Sequence, residues 1–118
     1  MLIAPTFRRE LERIVGADGI VTSAPGLRVY ECDGYTLERA RPELVVLPRT
    51  TAEVSTVVSM CARDGIPFVP RGAGTGVSGG CLPLDIPVMI ATTRMRAIRH
   101  IDLANRRIEV EAGEHLGD

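Results

Sequence analysis

The sequence predicts an α+β fold: a small, mostly parallel β-α-β sheet followed by a hairpin. Three observations predict it. Leu44, Val45, Val46 and Leu47 form a wholly apolar run stopped by Pro48, as suits a strand buried on both faces. Val54, Val57, Val58, Cys61 and Ala62 then recur at spacings of three and four, the period of one helix face. Near the end, residues 107–112 alternate polar and apolar, the period of a strand with one covered side.

Taken in order, Thr6 caps a first helix over residues 7–15, with Phe7, Leu11, Ile14 and Val15 on one face and Gly16 ending it. Together with the turn-rich stretch 17–28 this makes residues 1–28 a helical lead-in. A short extended piece around Cys32 is expected over residues 29–35, then a charged surface connection over 36–42. The strand at 44–47 follows. Thr50 and Glu53 have the spacing of a capping box, and Gly65 closes the second helix. Residues 66–69 form a second apolar run between prolines, so 44–70 reads as one β-α-β unit. Residues 87–91 read as a further strand. Residues 98–103 and 107–112 pair across Ala104 and Asn105, with Ile108 and Val110 turned inward.

Composition narrows the chemistry. The chain has 118 residues, 45% hydrophobic and 25% charged, with a formal net charge of −1. Those values fit one small domain or part of a larger one, and they offer no electrostatic footprint for nucleic acid. Every one of the 14 basic residues is arginine, which excludes lysine-dependent phosphate loops and Schiff-base chemistry within this chain. Cys32, Cys61 and Cys81 lack disulfide or zinc spacing, pointing to a reducing cytoplasm. No apolar run approaches the ~20 residues that span a bilayer. His100 reads as an exposed or pairing histidine, His115 as part of the tail and Cys61 as a core residue.

The run from Arg71 to Gly80 carries five glycines in its last nine residues. Glycine permits positive φ and close approach of a ligand, and successive N–H groups can converge on an anion, above all a phosphate. Arg71 and the hydroxyls of Thr75 and Ser78 add donors. A tightly turning loop without a ligand is the plain alternative. Residues 74–79 also spell the G-x-G-x-x-G of nicotinamide-binding domains. That motif needs a helix opening inside the glycines, and Pro83 and Pro87 argue against one.

A family resemblance rests on these residues. Pro48 with Thr51, Ala52, Glu53 and Val54, and then the whole stretch 66–80, closely resemble FAD-linked oxidases of the vanillyl-alcohol oxidase type, in the glycolate oxidase and D-lactate dehydrogenase branch. Tyr30 to Asp33, Arg94-Met95, Ile101-Asp102, Asn105-Arg106 and Glu111 to Gly113 extend the likeness over about residues 27–113. The resemblance implies the first subdomain of a PCMH-type FAD-binding domain, occupying residues 1–118 and truncated before the second flavin-binding segment. It implies that Pro48 lies beside the cofactor, while Pro48 and Pro70 read equally well as strand terminators. Pro70, Arg71, Gly72, Ala73, Gly74, Thr75 and Gly76 would contact the pyrophosphate, mainly through backbone N–H groups, with Ser78 and Gly79 continuing that wall. Gly80 is assigned a conformational part only.

Some relatives attach the flavin through a histidine in this loop. Thr75 stands at the corresponding position, so noncovalent FAD is expected. The resemblance further implies a parent enzyme acting on a small 2-hydroxy acid, cytoplasmic or peripheral to a membrane. The substrate domain, with its catalytic histidines, would lie elsewhere, so no residue here is a candidate catalytic group. A homo-oligomer or a missing C-terminal portion would complete the fold. The competing expectation is a module that binds phosphate or associates with itself without flavin activity.

Overall fold

A computed structural model of the chain describes residues 3–29, 42–72 and 86–114. The expectations placed on residues 30–41 and 73–85, Cys32 and Cys81 among them, and on His115 lie outside the described residues.

Helix α1 spans Pro5–Val15 and buries Phe7, Leu11 and Val15, with Ile14 half-buried. It starts earlier than expected. Pro5 occupies the first helical turn, where a missing N–H costs nothing, and the N-cap is Ala4 with no side-chain bond, so Thr6 lies inside the helix rather than capping it. Gly16 ends it at φ 83°, donating its N–H to Glu12 O at 2.8 Å. The stretch expected to be turn-rich contains a 3-10 turn at Ala17–Gly19, strand β1 (Ile20–Val21) and helix α2 (Ala24–Arg28), whose N-terminus is capped by Ser23.

Strand β2 (Leu44–Val46) is fully buried, as its apolar run requires. Helix α3 (Thr51–Asp64) begins where expected: the Thr50 hydroxyl accepts from Glu53 N at 3.1 Å. The return half of the capping box is displaced by one residue, with the Glu53 carboxylate accepting from Arg49 N at 3.4 Å. Gly65 closes α3 in the left-handed region at φ 64°. The buried face carries Val57, Met60 and Cys61, while Val54 and Val58 are half-buried and Ala62 is exposed. Burial pushes the Cys61 thiol upward from its ordinary value, with the Asp64 charge adding to it, so the thiol stays protonated in the core.

Strand β3 (Phe68–Arg71) starts later than the apolar run and continues through Pro70 instead of stopping before it. That is tolerated because β3 is an edge strand and Pro70 is exposed. Strand β4 (Val88–Ala91) completes a sheet of order β1-β2-β4-β3. β4 lies parallel to both β2 and β3, and β1 pairs antiparallel with β2. The β2-α3-β3 unit is therefore parallel as predicted, with β4 inserted between its two strands.

Alternation along these strands gives two cores. Leu44, Val46, Val88 and Ile90 pack with α1 and α3, while Val45, Met89, Val69 and Ala91 pack with Leu27 of α2. Among the described residues no helix is long and apolar enough to cross a membrane.

Strands β5 (Ile98–Asp102) and β6 (Arg107–Val110) form a separate antiparallel pair, as the alternation predicted. His100 is exposed on β5, opposite Glu109. The inward placement of Ile108 does not hold. Ile108 is 49% exposed and its cross-strand partner Ile101 56% exposed, because no described residue covers this face.

The connecting turn takes four residues, not two. Asp102 accepts from Asn105 N (3.1 Å) and Asn105 Nδ2 (2.8 Å), bonds that hold its carboxyl below the usual carboxylate range. Arg106 then sits at φ 54°, where a side chain costs ~1–2 kcal/mol. Arg106→Gly is expected to raise stability by about 0.5–1 kcal/mol, since relief of that strain exceeds the extra backbone entropy of glycine. Urea denaturation of the two chains checks it, and an unchanged midpoint would mean the turn carries no strain.

Candidate functional site at the carboxyl ends of the parallel strands

Ligands of open parallel sheets bind outside the carboxyl ends of the strands, because side chains and backbone groups from several strands come together there. Here three strands end at one level. Val46 is in register with Ile90, and Ile90 with Pro70, so the residues that follow form a common edge. That edge consists of Leu47 and Pro48 after β2, Arg71 and Gly72 at the end of β3, and Thr92 after β4.

The edge is tied together by backbone bonds. Arg71 O accepts from Thr92 N at 2.9 Å and from the Thr92 hydroxyl at 3.4 Å. Leu47 N donates to Gly19 O at 2.7 Å, which carries the β1-β2 ladder one step further. Pro48 is fully buried and Arg71 only 9% exposed, on the same strand face as Val69 by alternation. Gly72 is half-buried, and a Cβ built on it would meet only Ala112 O, at 3.9 Å. Among the described residues, then, nothing crowds the backbone at the root of the glycine run.

Ala112 reaches this edge because the turn after β6 packs against the turn after β4. Gly113 N donates to Met95 O at 2.8 Å, and Glu111 N to Ala97 O at 2.9 Å. The two turns are so close that a Cβ on Gly113 would stand 1.7 Å from Thr92 O.

Arginines dominate the charge at this edge. Arg94 donates through Nη1 to Leu47 O at 3.2 Å, and its Nη2 lies 3.7 Å from Asp18 Oδ2. Arg49 Nη2 approaches the same carboxylate oxygen at 2.9 Å. With Arg71, that places three guanidinium groups on residues around the strand ends, a setting that favours an anion.

Of the residues singled out from sequence, Pro48, Arg71 and Gly72 come together here. Pro70 lies one residue below, exposed on the edge strand. Ala73, Gly74, Thr75, Gly76, Ser78 and Gly79 lie outside the described residues. Asp18, Gly19 and a role for Arg94 went unread, for Asp18 is 31 residues from Arg49 and 76 from Arg94 and no spacing signal links them.

The edge is compatible with a diphosphate-bearing cofactor in two respects: among the described residues nothing crowds Gly72 at the root of the loop, and three arginines stand on residues around the strand ends. Comparison with known proteins agrees. Residues 42–118 match the model of a family described as FAD binding domain. The chain is similar to glycolate oxidase subunit GlcD of Escherichia coli strain K12, 45% identical over 84 residues, which is 71% of this chain and 17% of that protein. It is also similar to D-lactate dehydrogenase of Anaerostipes hadrus, 39% identical over 80 residues, 68% of this chain and 17% of that one. The chain thus spans about a sixth of the length of these curated relatives.

Among solved structures, 4-ethylphenol oxidase from Gulosibacter chungangensis superposes with a TM-score of 0.78 at 19% identity, over 94% of this chain and 23% of that one. A p-cresol methylhydroxylase superposes at 0.72 with 21% identity, over 98% and 24%. At such identities these likenesses show the fold.

Proposed function

The chain belongs to the FAD binding domain family, and we propose that it forms the pyrophosphate-holding part of the FAD site in a flavin-dependent oxidoreductase of 2-hydroxy acids. The observation that carries the proposal is the common edge: three parallel strands end together, and the glycine run leaves that edge at Gly72. The names of the relatives, glycolate oxidase and D-lactate dehydrogenase, support the substrate class.

In this reading the backbone N–H groups from Arg71 through Gly76, with Ser78 and Gly79, hold the diphosphate. Gly72 contributes through its open backbone, and the Arg71 guanidinium adds positive charge at the strand end. Buried Pro48 forms the neighbouring wall, and Pro70 sets the course of the strand that delivers the loop. Thr75 stands where a covalent histidine would, so FAD is held noncovalently. FAD, when bound, supplies the acceptor for a hydride from the substrate α-carbon. This chain binds and orients it, and proton transfer belongs to residues elsewhere in the parent enzyme. The unpaired spacing of the cysteines supports a cytoplasmic setting.

The test is a titration of the 118-residue chain with FAD, ADP and riboflavin, read by the amide NMR shifts of residues 71–79. FAD and ADP are expected to move the same amides at millimolar concentration, riboflavin to leave them in place, and no 2-hydroxy acid to be turned over. Riboflavin acting alone on those amides, or FAD leaving them unmoved, would sink the diphosphate assignment. Tight FAD binding with turnover would instead show that the chain needs no further domain.

A second reading, a self-associating module without flavin chemistry, is favoured by the uncovered apolar face of β5 and β6. The FAD titration separates the two: a chain that self-associates by light scattering yet leaves the amides of residues 71–79 unmoved by FAD fits the second reading.

A further inference from the structure

The lead-in at residues 3–21 precedes the segment that the family model matches, residues 42–118, yet it reaches the edge where that segment would hold its cofactor. We infer that Asp18 and Arg94 form a latch through which the lead-in fixes the Leu47–Pro48 corner of the FAD site, with Arg94 as a positioning residue. The inference rests on the FAD reading for its functional consequence, though not for its geometry.

Leu47 is the last residue of the β2 run before Pro48, which has no N–H to anchor. Both backbone polar groups of Leu47 are held. Its N–H goes to Gly19 O at 2.7 Å, and its carbonyl accepts from Arg94 Nη1 at 3.2 Å. The first contact comes from the lead-in directly. The second depends on it indirectly, because Arg94 Nη2 lies 3.7 Å from Asp18 Oδ2.

Gly19 supplies the space. A Cβ there would stand 3.1 Å from Arg94 Nη1, and 2.8 Å from Val15 Cβ. The Arg94 side chain is 20% exposed, against 56% for the Arg49 side chain that shares the same carboxylate. The Asp18 side chain itself is 71% exposed, so its Coulomb pull on either guanidinium is modest; what distinguishes Arg94 is that it is set into the fold and bonded to the Leu47 carbonyl. One planar guanidinium directs separate nitrogens to the carbonyl and to the carboxylate. An ammonium group presents a single point and cannot serve both in this geometry.

The test uses the full chain carrying Arg94→Ala, Arg94→Lys or Asp18→Asn. Arg63→Ala serves as control, because Arg63 pairs with Glu10 at 3.2 Å at the far end of α3. Two quantities are read: hydrogen exchange of the Leu47 amide, and the FAD concentration that half-saturates the shifts at residues 71–79. Arg94→Ala and Arg94→Lys are both expected to speed Leu47 exchange and to weaken FAD about tenfold, with Asp18→Asn intermediate. The urea midpoints should stay within the range set by Arg63→Ala.

Full rescue by lysine would show that any cation filling the space suffices, which overturns the latch. FAD binding by Arg94→Ala as tight as by the unsubstituted chain overturns it too. If the unsubstituted chain gives no FAD response, the FAD reading fails on its own. Leu47 exchange then decides the latch: unchanged exchange in Arg94→Ala overturns it, and faster exchange upholds it.

Discussion

Gly113→Ala is expected to destabilise the chain by upwards of ~3 kcal/mol, the size of an overpacked site that cannot relax by moving a side chain. The added methyl would collide with the backbone of the turn after β4. Its Cβ would lie 1.7 Å from Thr92 O and 3.0 Å from Met95 O. Neither atom is the free end of a flexible side chain, so one of the two turns must move. Moving the turn at residues 111–114 breaks the bond from Gly113 N to Met95 O, and moving the turn after β4 disturbs the bonds that Thr92 makes to Arg71 O.

Against a total stability of ~5–15 kcal/mol for a small domain, a loss of this size is large. It also acts on the proposed site, because Ala112 stands beside Gly72. Urea denaturation measures the first effect, and the amide shift of Gly72 in the folded fraction reports the second. A loss below about 1 kcal/mol would mean the two turns are not locked together. Gly113 needs no unusual φ, so close approach alone makes glycine necessary here.

Much of the sheet was legible because its signals are local. The Leu44 to Leu47 run, the Thr50 cap and the Gly65 terminator each state a structural choice within a few residues, and each appears nearly where expected. Other features were not legible because their causes are remote. Strand β1 has two residues and exists by pairing with β2, some 25 positions later. Helix α2, with the sequence Ala-Pro-Gly-Leu-Arg, contradicts its own propensities and is held by the Ser23 cap and by the burial of Leu27.

Pro70 reads as a strand stop in isolation. It becomes acceptable once β3 is known to be an edge strand. At the site, the resemblance drew attention to Pro48, Arg71 and Gly72, which do share one edge. The contacts made there by Asp18 and Gly113 depend on chain crossings that no spacing records. The hairpin shows the same limit: alternation identifies which residues share a face, and says nothing about whether that face is covered.

That uncovered face gives the second large effect. Ile101→Thr together with Ile108→Thr is expected to abolish self-association of the chain while leaving its urea midpoint nearly unchanged. Ile98, Ile101, Leu103 and Ile108 are each about half exposed or more, and the register sets Ile101 opposite Ile108 and Ile98 opposite Val110. A two-stranded pair is marginal in water without a packed face, so solvation of these side chains is a standing cost that association can remove.

Burying the exposed half of each would contribute ~1–1.5 kcal/mol, or ~4–6 kcal/mol per copy. Two copies offset a loss of translational and rotational freedom of similar size. The surplus is small at best, so association is expected to be weak and reversible rather than a tight dimer. Removing two isoleucines per copy takes away about half of that driving force, enough to push association beyond millimolar concentration. Threonine keeps the β-branched shape that strands favour, so folding is spared. Light scattering over a concentration series, alongside urea denaturation, checks both halves of the expectation. A chain that is monomeric with or without the substitutions would show that its own copies do not cover the face.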